Sequence, residues 1–99
     1  MLNIEKKANA SELTIALKGR LDTTTAPELE SVISQSLDGV TELNIDMEEL
    51  EYISSAGLRV LLSAQKIMGK QGEMKVCHVN ETIMEIFDVT GFSDILTIV

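Results

Sequence analysis

Two adjacent hydroxyls, Ser54 and Ser55, are the side chains best placed for chemistry in this chain. They lie in Tyr52-Ile53-Ser54-Ser55-Ala56-Gly57-Leu58, where an apolar run stops and a helix-like apolar pattern starts at once. A serine at such a junction sits at a helix N-terminus, where the first backbone N–H groups lack partners within the helix. Its ordinary use there is N-capping, in which the hydroxyl oxygen accepts one of those N–H groups. The other use is covalent. Free donors and the helix dipole both favour negative charge at this end, so a phosphorylated serine is well accommodated.

Enzymatic use of these serines finds little support. Nucleophilic serine catalysis needs a base within reach, usually histidine. The only histidine, His78, is expected inside a strand, and the Gly-x-Ser-x-Gly elbow is absent around Ser55. One cysteine and one histidine do not make a zinc site, and the carboxylates follow no calcium-loop spacing, so no metal is expected. There is neither a Walker A sequence nor Gly-x-Gly-x-x-Gly, so no cofactor is expected. Asp22, Asp46, Glu48 and Glu51 read as a solvated acidic face, because charged residues are seldom buried.

Composition narrows the partners. The net charge of −8 would repel a nucleic-acid backbone, so no nucleic-acid partner is expected. Aromatics are 3% of the residues, too few for a base-stacking surface. No apolar run approaches the length of a transmembrane helix, so no membrane insertion is expected. The N-terminal stretch lacks the apolar segment of a signal peptide, which makes the cytoplasm the expected compartment. The lone cysteine, Cys77, has no partner for an internal disulfide and reads as a small buried hydrophobe.

The elements that must position the serines follow from periodicity. A chain of 99 residues fits one domain, 1–99. Ile4 and its neighbours can form a short strand. Leu13, Ile15 and Leu17 alternate with Thr14, Ala16 and Lys18 as a second strand, after which Leu21-Asp22-Thr23-Thr24 reads as a loop. Thr25-Ala26-Pro27-Glu28 has the form of a capping box, and Leu29, Val32, Ile33 and Leu37 share one helical face up to Asp38-Gly39. Leu43, Ile45 and Met47 mark a third strand. The helix from Leu58 to Met68 carries a wide apolar stripe closed by Gly69 and Gly72. Met74, Val76 and Val79 mark a fourth strand holding Cys77 and His78, and Asn80 can cap a third helix ended by Gly91. Ile95-Leu96-Thr97-Ile98-Val99 is β-rich and reads as a last strand. Strands alternating with helices predict an α/β fold with parallel pairs.

Two segments together resemble a known family. Gly19-Arg20-Leu21-Asp22 with Thr25-Ala26-Pro27-Glu28-Leu29 is similar to the first hallmark of STAS domains, and Leu50 to Leu58 is similar to the second. Gly72-Glu73-Met74, Ile86-Phe87-Asp88 and Thr90-Gly91-Phe92 resemble its later stretches in the right order. A stand-alone domain of this size most resembles the bacterial anti-sigma factor antagonists. The resemblance implies a mixed four- or five-stranded sheet with helices packed on it. It implies two partners, an anti-sigma factor that is itself a serine kinase and a PP2C-type phosphatase. The unphosphorylated form would bind the anti-sigma factor and so free the sigma factor. Aligned on Gly57-Leu58, the acceptor falls on Ser55, with Ser54 as the alternative. The family often has Asp where this chain has Ser54, and Ser or Thr where it has Ala56. Asp22 resembles the family's Asp beside the acceptor, where it would orient the hydroxyl or join the partner-binding rim; its other reading is a turn residue. The implied partner surface comprises Asp22, Thr23, Thr24, Ser54, Gly57 and Leu58 around Ser55. The resemblance also admits a STAS subunit of a transporter or another assembly, with no phosphate cycle.

Overall fold

The computed structural model describes residues 1–99. Four strands form one sheet in the order β1 (Leu2–Asn9), β2 (Glu12–Leu21), β3 (Glu42–Ile53) and β4 (Glu73–Cys77). β1 runs antiparallel to β2, while β2 with β3 and β3 with β4 are parallel, so the sheet is mixed. Each parallel pair needs a crossover, supplied by α1 (Ala26–Ser36) and α2 (Ser55–Met68). Spatial and chain order agree, so right-handed crossovers put both helices on one face. α3 (Glu81–Thr90) packs against β3. Ile83 and Phe87 of α3 join the same buried cluster as Ile15, Ile45 and Leu61. The opposite face carries no helix, and its row Glu5–Ala16–Asp46–Cys77 runs straight across all four strands.

β3 is longer than its period-two stretch foretells. Alternation holds through Met47, then the buried positions become Leu50 and Ile53. The register explains this. From Ala16 to Lys18 β2 advances two residues while β3 advances three, and from Gly19 to Arg20 β3 again takes one extra. These irregularities leave Glu48, Glu49 and Glu51 exposed and return Leu50 and Ile53 to the core. β2 likewise continues through Leu21, so the expected loop starts only at Asp22.

Four local expectations need correction. The capping box at Thr25 does not form: the Thr25 side chain makes no cap bond and is buried at 7% exposure. Its hydroxyl donates to the Arg20 carbonyl at 2.9 Å and accepts the Asp22 N–H at 2.8 Å. β4 stops at Cys77, so His78 lies beyond the strand and is exposed. Cys77 is half-buried. The last strand reduces to a single bridge between Val76 and Ile98. A 3-10 turn at Phe92–Asp94 takes up the backbone before it, with Ile95 and Leu96 both donating to the Phe92 carbonyl. Gly91 permits that turn through a left-handed φ of 82°.

Asn80 ties α3 to the irregular part of β3. Its Oδ1 accepts the Ile83 N–H at 2.9 Å, and its Nδ2 donates to the Leu50 carbonyl at 2.7 Å. Asn80→Ala removes a cap and strands a part-buried carbonyl. Chemical denaturation should show a loss of about 2 kcal/mol; a change within about 0.5 kcal/mol, the range of ordinary surface substitutions, would contradict this role.

Candidate functional site

The Ser54-Ser55 corner is built on the ends of two parallel strands. Leu21 pairs with Ile53, and the Ser54 N–H donates to the Leu21 carbonyl at 2.9 Å. The loop after β2 and the start of α2 therefore leave the sheet side by side. Gly57 allows the close approach. A Cβ there would fall 2.7 Å from Leu21 Cγ and 2.9 Å from Ile53 Cγ1, closer than carbon atoms pack.

Ser54, and not Ser55, takes the capping role. Ser54 is the N-cap, with extended backbone (φ −97°, ψ 175°), and its Oγ accepts the Gly57 N–H at 3.4 Å. Ser55 is the first helical residue, is exposed, and makes no side-chain hydrogen bond within the protein. Its neighbours on the helix are unlike one another. Gly57 and Leu58 are buried, so they support the surface from beneath and present no side chain to a partner. Arg59 is exposed, forms none of the chain's ion pairs, and stands one turn on from Ser55 on the same face.

Asp22 organises the adjoining loop. Its Oδ1 accepts the Thr24 hydroxyl at 2.8 Å, the Thr24 N–H at 3.0 Å and the Thr25 N–H at 3.1 Å. Arg20 approaches the other oxygen, Nε to Oδ2 at 3.9 Å, while its guanidinium stacks 4.4 Å from the centre of the Tyr52 ring. The Thr24 hydroxyl holds the Asp22 carboxyl below its ordinary value; partial burial opposes this, and the Thr25 and Thr24 backbone groups and the Thr25 hydroxyl reinforce it. Asp22 does not hydrogen-bond to Ser55, so the turn reading describes its structural role. Thr23 and Thr24 are exposed. A shallow cleft of about 190 Å³ between α1 and the first turns of α2 has Thr23 on one wall and Ala56 and Arg59 on the other.

The remaining candidates separate from this corner. Asp46 and Glu48 line a hollow on the open sheet face with Glu5 and Glu49, away from Asp22. His78 Nδ1 lies 3.1 Å from Asp46 Oδ1, and no hydrogen bond joins His78 to either serine. Burial, with the Asp46 charge beside it, pushes the Cys77 thiol up, so it stays protonated at neutral pH. Spacing in the chain gave no hint of a metal-ligand set, but parallel pairing brings Asp46 beside Cys77, and Asp46, Cys77 and His78 place their donor atoms within 4.8 Å of one another.

The STAS domain family model matches residues 2–99. This chain belongs to the STAS family. A STAS relative, the anti-sigma-B factor antagonist of Bacillus subtilis, is 29% identical over 98 residues, covering 98% of this chain and 90% of its own. An anti-sigma factor antagonist from Mycobacterium paratuberculosis superposes with a TM-score of 0.88 at 22% identity, covering 99% of this chain and 85% of that one. The Bacillus cell fate determinant SpoIIAA, solved in its phosphorylated form, superposes with a TM-score of 0.76 at 18% identity over 98% of this chain and 91% of its own. The expected α/β STAS fold is therefore observed, at the lower of the two expected strand numbers.

Three outcomes test the geometry of this corner. Gly57→Ala should cost about 1–3 kcal/mol by overpacking against Leu21 and Ile53. Ser54→Ala should cost about 1 kcal/mol by loss of the cap, whereas Ser55→Ala should change stability by less than about 0.5 kcal/mol; equal effects of the two in urea melts would refute the division of roles. Asp22 binds its proton less readily in the folded state, so its contribution is present above the unfolded-state value and is lost as pH falls through the lower folded-state value. NMR titration of the Thr24 and Thr25 amides should give a midpoint below 3.8, and a midpoint at or above 3.8 would contradict the hydrogen-bond pattern.

Proposed function

We propose that this chain is an anti-sigma factor antagonist that works by partner switching. Unphosphorylated, it binds an anti-sigma factor and so releases a sigma factor. Phosphorylation of Ser55 by that anti-sigma factor, acting as a serine kinase, breaks the complex, and a PP2C-type phosphatase restores it. The cycle runs in the cytoplasm, where sigma factors act.

One observation carries the reading. Ser55 is exposed at the first turn of α2 with its hydroxyl unengaged, because Ser54 does the capping. A kinase can take the Ser55 hydroxyl without dismantling the helix end. The phosphate adds about −1.5 to −2 charges and three acceptor oxygens, at a helix end whose dipole favours them. Arg59, one turn along the same face, is the cation available to it. Gly57 and Leu58 remain packed beneath, so the fold is the same in both states. The switch is therefore a change of charge and bulk on the surface shared by Thr23, Thr24, Ser54 and Ser55. The naming of the Bacillus subtilis relative for its antagonism of an anti-sigma factor, and the existence of SpoIIAA in a phosphorylated form, both support this reading.

Ser55→Asp should weaken binding to the cognate anti-sigma factor by at least about tenfold, equivalent to about 1.4 kcal/mol, with an unchanged far-UV spectrum. Ser55→Ala should bind as the parent protein does. Calorimetry on the purified pair measures both, and equal affinities for the Asp and Ala variants would refute a charge-based switch.

A further inference from the structure

The open face of the sheet carries a group of side chains that the switch does not use. Asp46 and Cys77 are register partners on β3 and β4, so their side chains stand side by side on the face no helix covers. The chain then leaves β4 at His78 through a φ of 56°, a left-handed conformation that non-glycine residues seldom adopt. That turn brings the imidazole back over the strand end, with Nδ1 3.1 Å from Asp46 Oδ1. The carboxylate is itself held in place, since Oδ1 also accepts the Glu48 N–H at 3.0 Å. Cys77 Sγ, whose thiol donates to the Ile45 carbonyl at 3.6 Å, stands beside them, and the three donor atoms lie within 4.8 Å of one another.

We propose that Asp46, Cys77 and His78 form a binding site for a divalent transition-metal ion of the zinc type. The donor set is one oxygen, one sulfur and one nitrogen. Thiolate and imidazole together select zinc or cobalt over magnesium or calcium, which take oxygen ligands. Ordinary zinc bond lengths at tetrahedral angles put neighbouring donors about 3.4–3.6 Å apart. The nitrogen and oxygen, 3.1 Å apart, lie slightly inside that spacing, and the sulfur stands within 4.8 Å of both, so a small side-chain adjustment brings the three donors onto one ion. On binding, the Cys77 thiol gives up its proton to solvent and the sulfur's electron pair forms the metal–sulfur bond. Carboxylate and thiolate then balance the charge of the ion. Three protein ligands leave the fourth position open, and His78 is exposed, so that position faces solvent. The site is distinct from the Ser55 corner and does not depend on the switch.

Cobalt(II) tests this directly, because thiolate coordination gives a charge-transfer band in the near ultraviolet and four-coordination gives intense visible bands. The full chain, reduced and without an affinity tag, should bind one equivalent of cobalt with both signals and lose them when zinc is added. Cys77→Ser should abolish the charge-transfer band. His78→Asn keeps a residue that tolerates left-handed backbone, and it and Asp46→Asn should each weaken binding by at least about tenfold, the lower end of what altering even an outer partner of a metal site costs. Circular dichroism confirms that each variant is folded. Absence of saturable binding at millimolar cobalt, or a one-equivalent signal unchanged in Cys77→Ser or His78→Asn, would overturn the proposal.

Discussion

The parallel pairing of β2 with β3 ends at Leu21 beside Ile53, and the candidate surface depends on that pair. Both side chains are buried, and both meet the α2 backbone where it passes as Gly57. The Leu21 carbonyl takes the Ser54 N–H, which fixes where α2 begins. One residue beyond Leu21, Asp22 folds the next loop around its own carboxylate and starts α1. The starts of two helices and the loop between β2 and α1 are thus positioned by one strand pair. A displacement of that pair would move the serines, the threonines and the cleft between α1 and α2 together.

In the proposed switch, the same arrangement separates stability from signalling. Packing of α2 is carried by Gly57, Leu58, Val60 and Leu61, and its end is closed by Ser54. Ser55 contributes to neither. A surface group free of structural duties can be modified and restored repeatedly at little cost to the fold, as a reversible regulatory mark requires. Electrostatics favours the change acting at the interface. The chain already carries a net charge of −8, so another anion on this corner adds little that is new to the domain and much to a partner pressed against it.

Much of this was legible in the sequence, and the failures have physical causes. The helices were readable because their apolar stripes recur at helical spacing: Leu29, Ile33 and Leu37 are buried, as are Leu58, Leu61, Ile83 and Phe87. β3 was readable only to Met47, because extra residues against β2 change its phase, and a jump in buried spacing to Leu50 and Ile53 is a weak signal without the partner strand. The final strand was overread, since β-branched composition in Thr97-Ile98-Val99 does not reveal that a turn takes the backbone just before it. Of the residues expected on a partner surface, Thr23 and Thr24 are exposed on the loop that leaves the sheet beside the Ser54-Ser55 corner, while Gly57 and Leu58 are buried beneath that corner. Motif resemblance marks positions alike whether they touch a partner or support the residues that do. The Asp46–Cys77–His78 group was missed for a related reason. Its members are 31 residues apart in sequence, from Asp46 to Cys77, and become neighbours only through sheet register.

The central claim is that Ser55, and not its capping neighbour, takes the phosphate. Incubation of the protein with ATP and its cognate anti-sigma factor, followed by intact-mass and peptide mass spectrometry, tests this most directly. The account predicts a single added phosphate on Ser55. A phosphate on Ser54, or none with a kinase shown to be active, would contradict it, and the second result would favour a STAS subunit of a larger assembly that never enters a phosphate cycle.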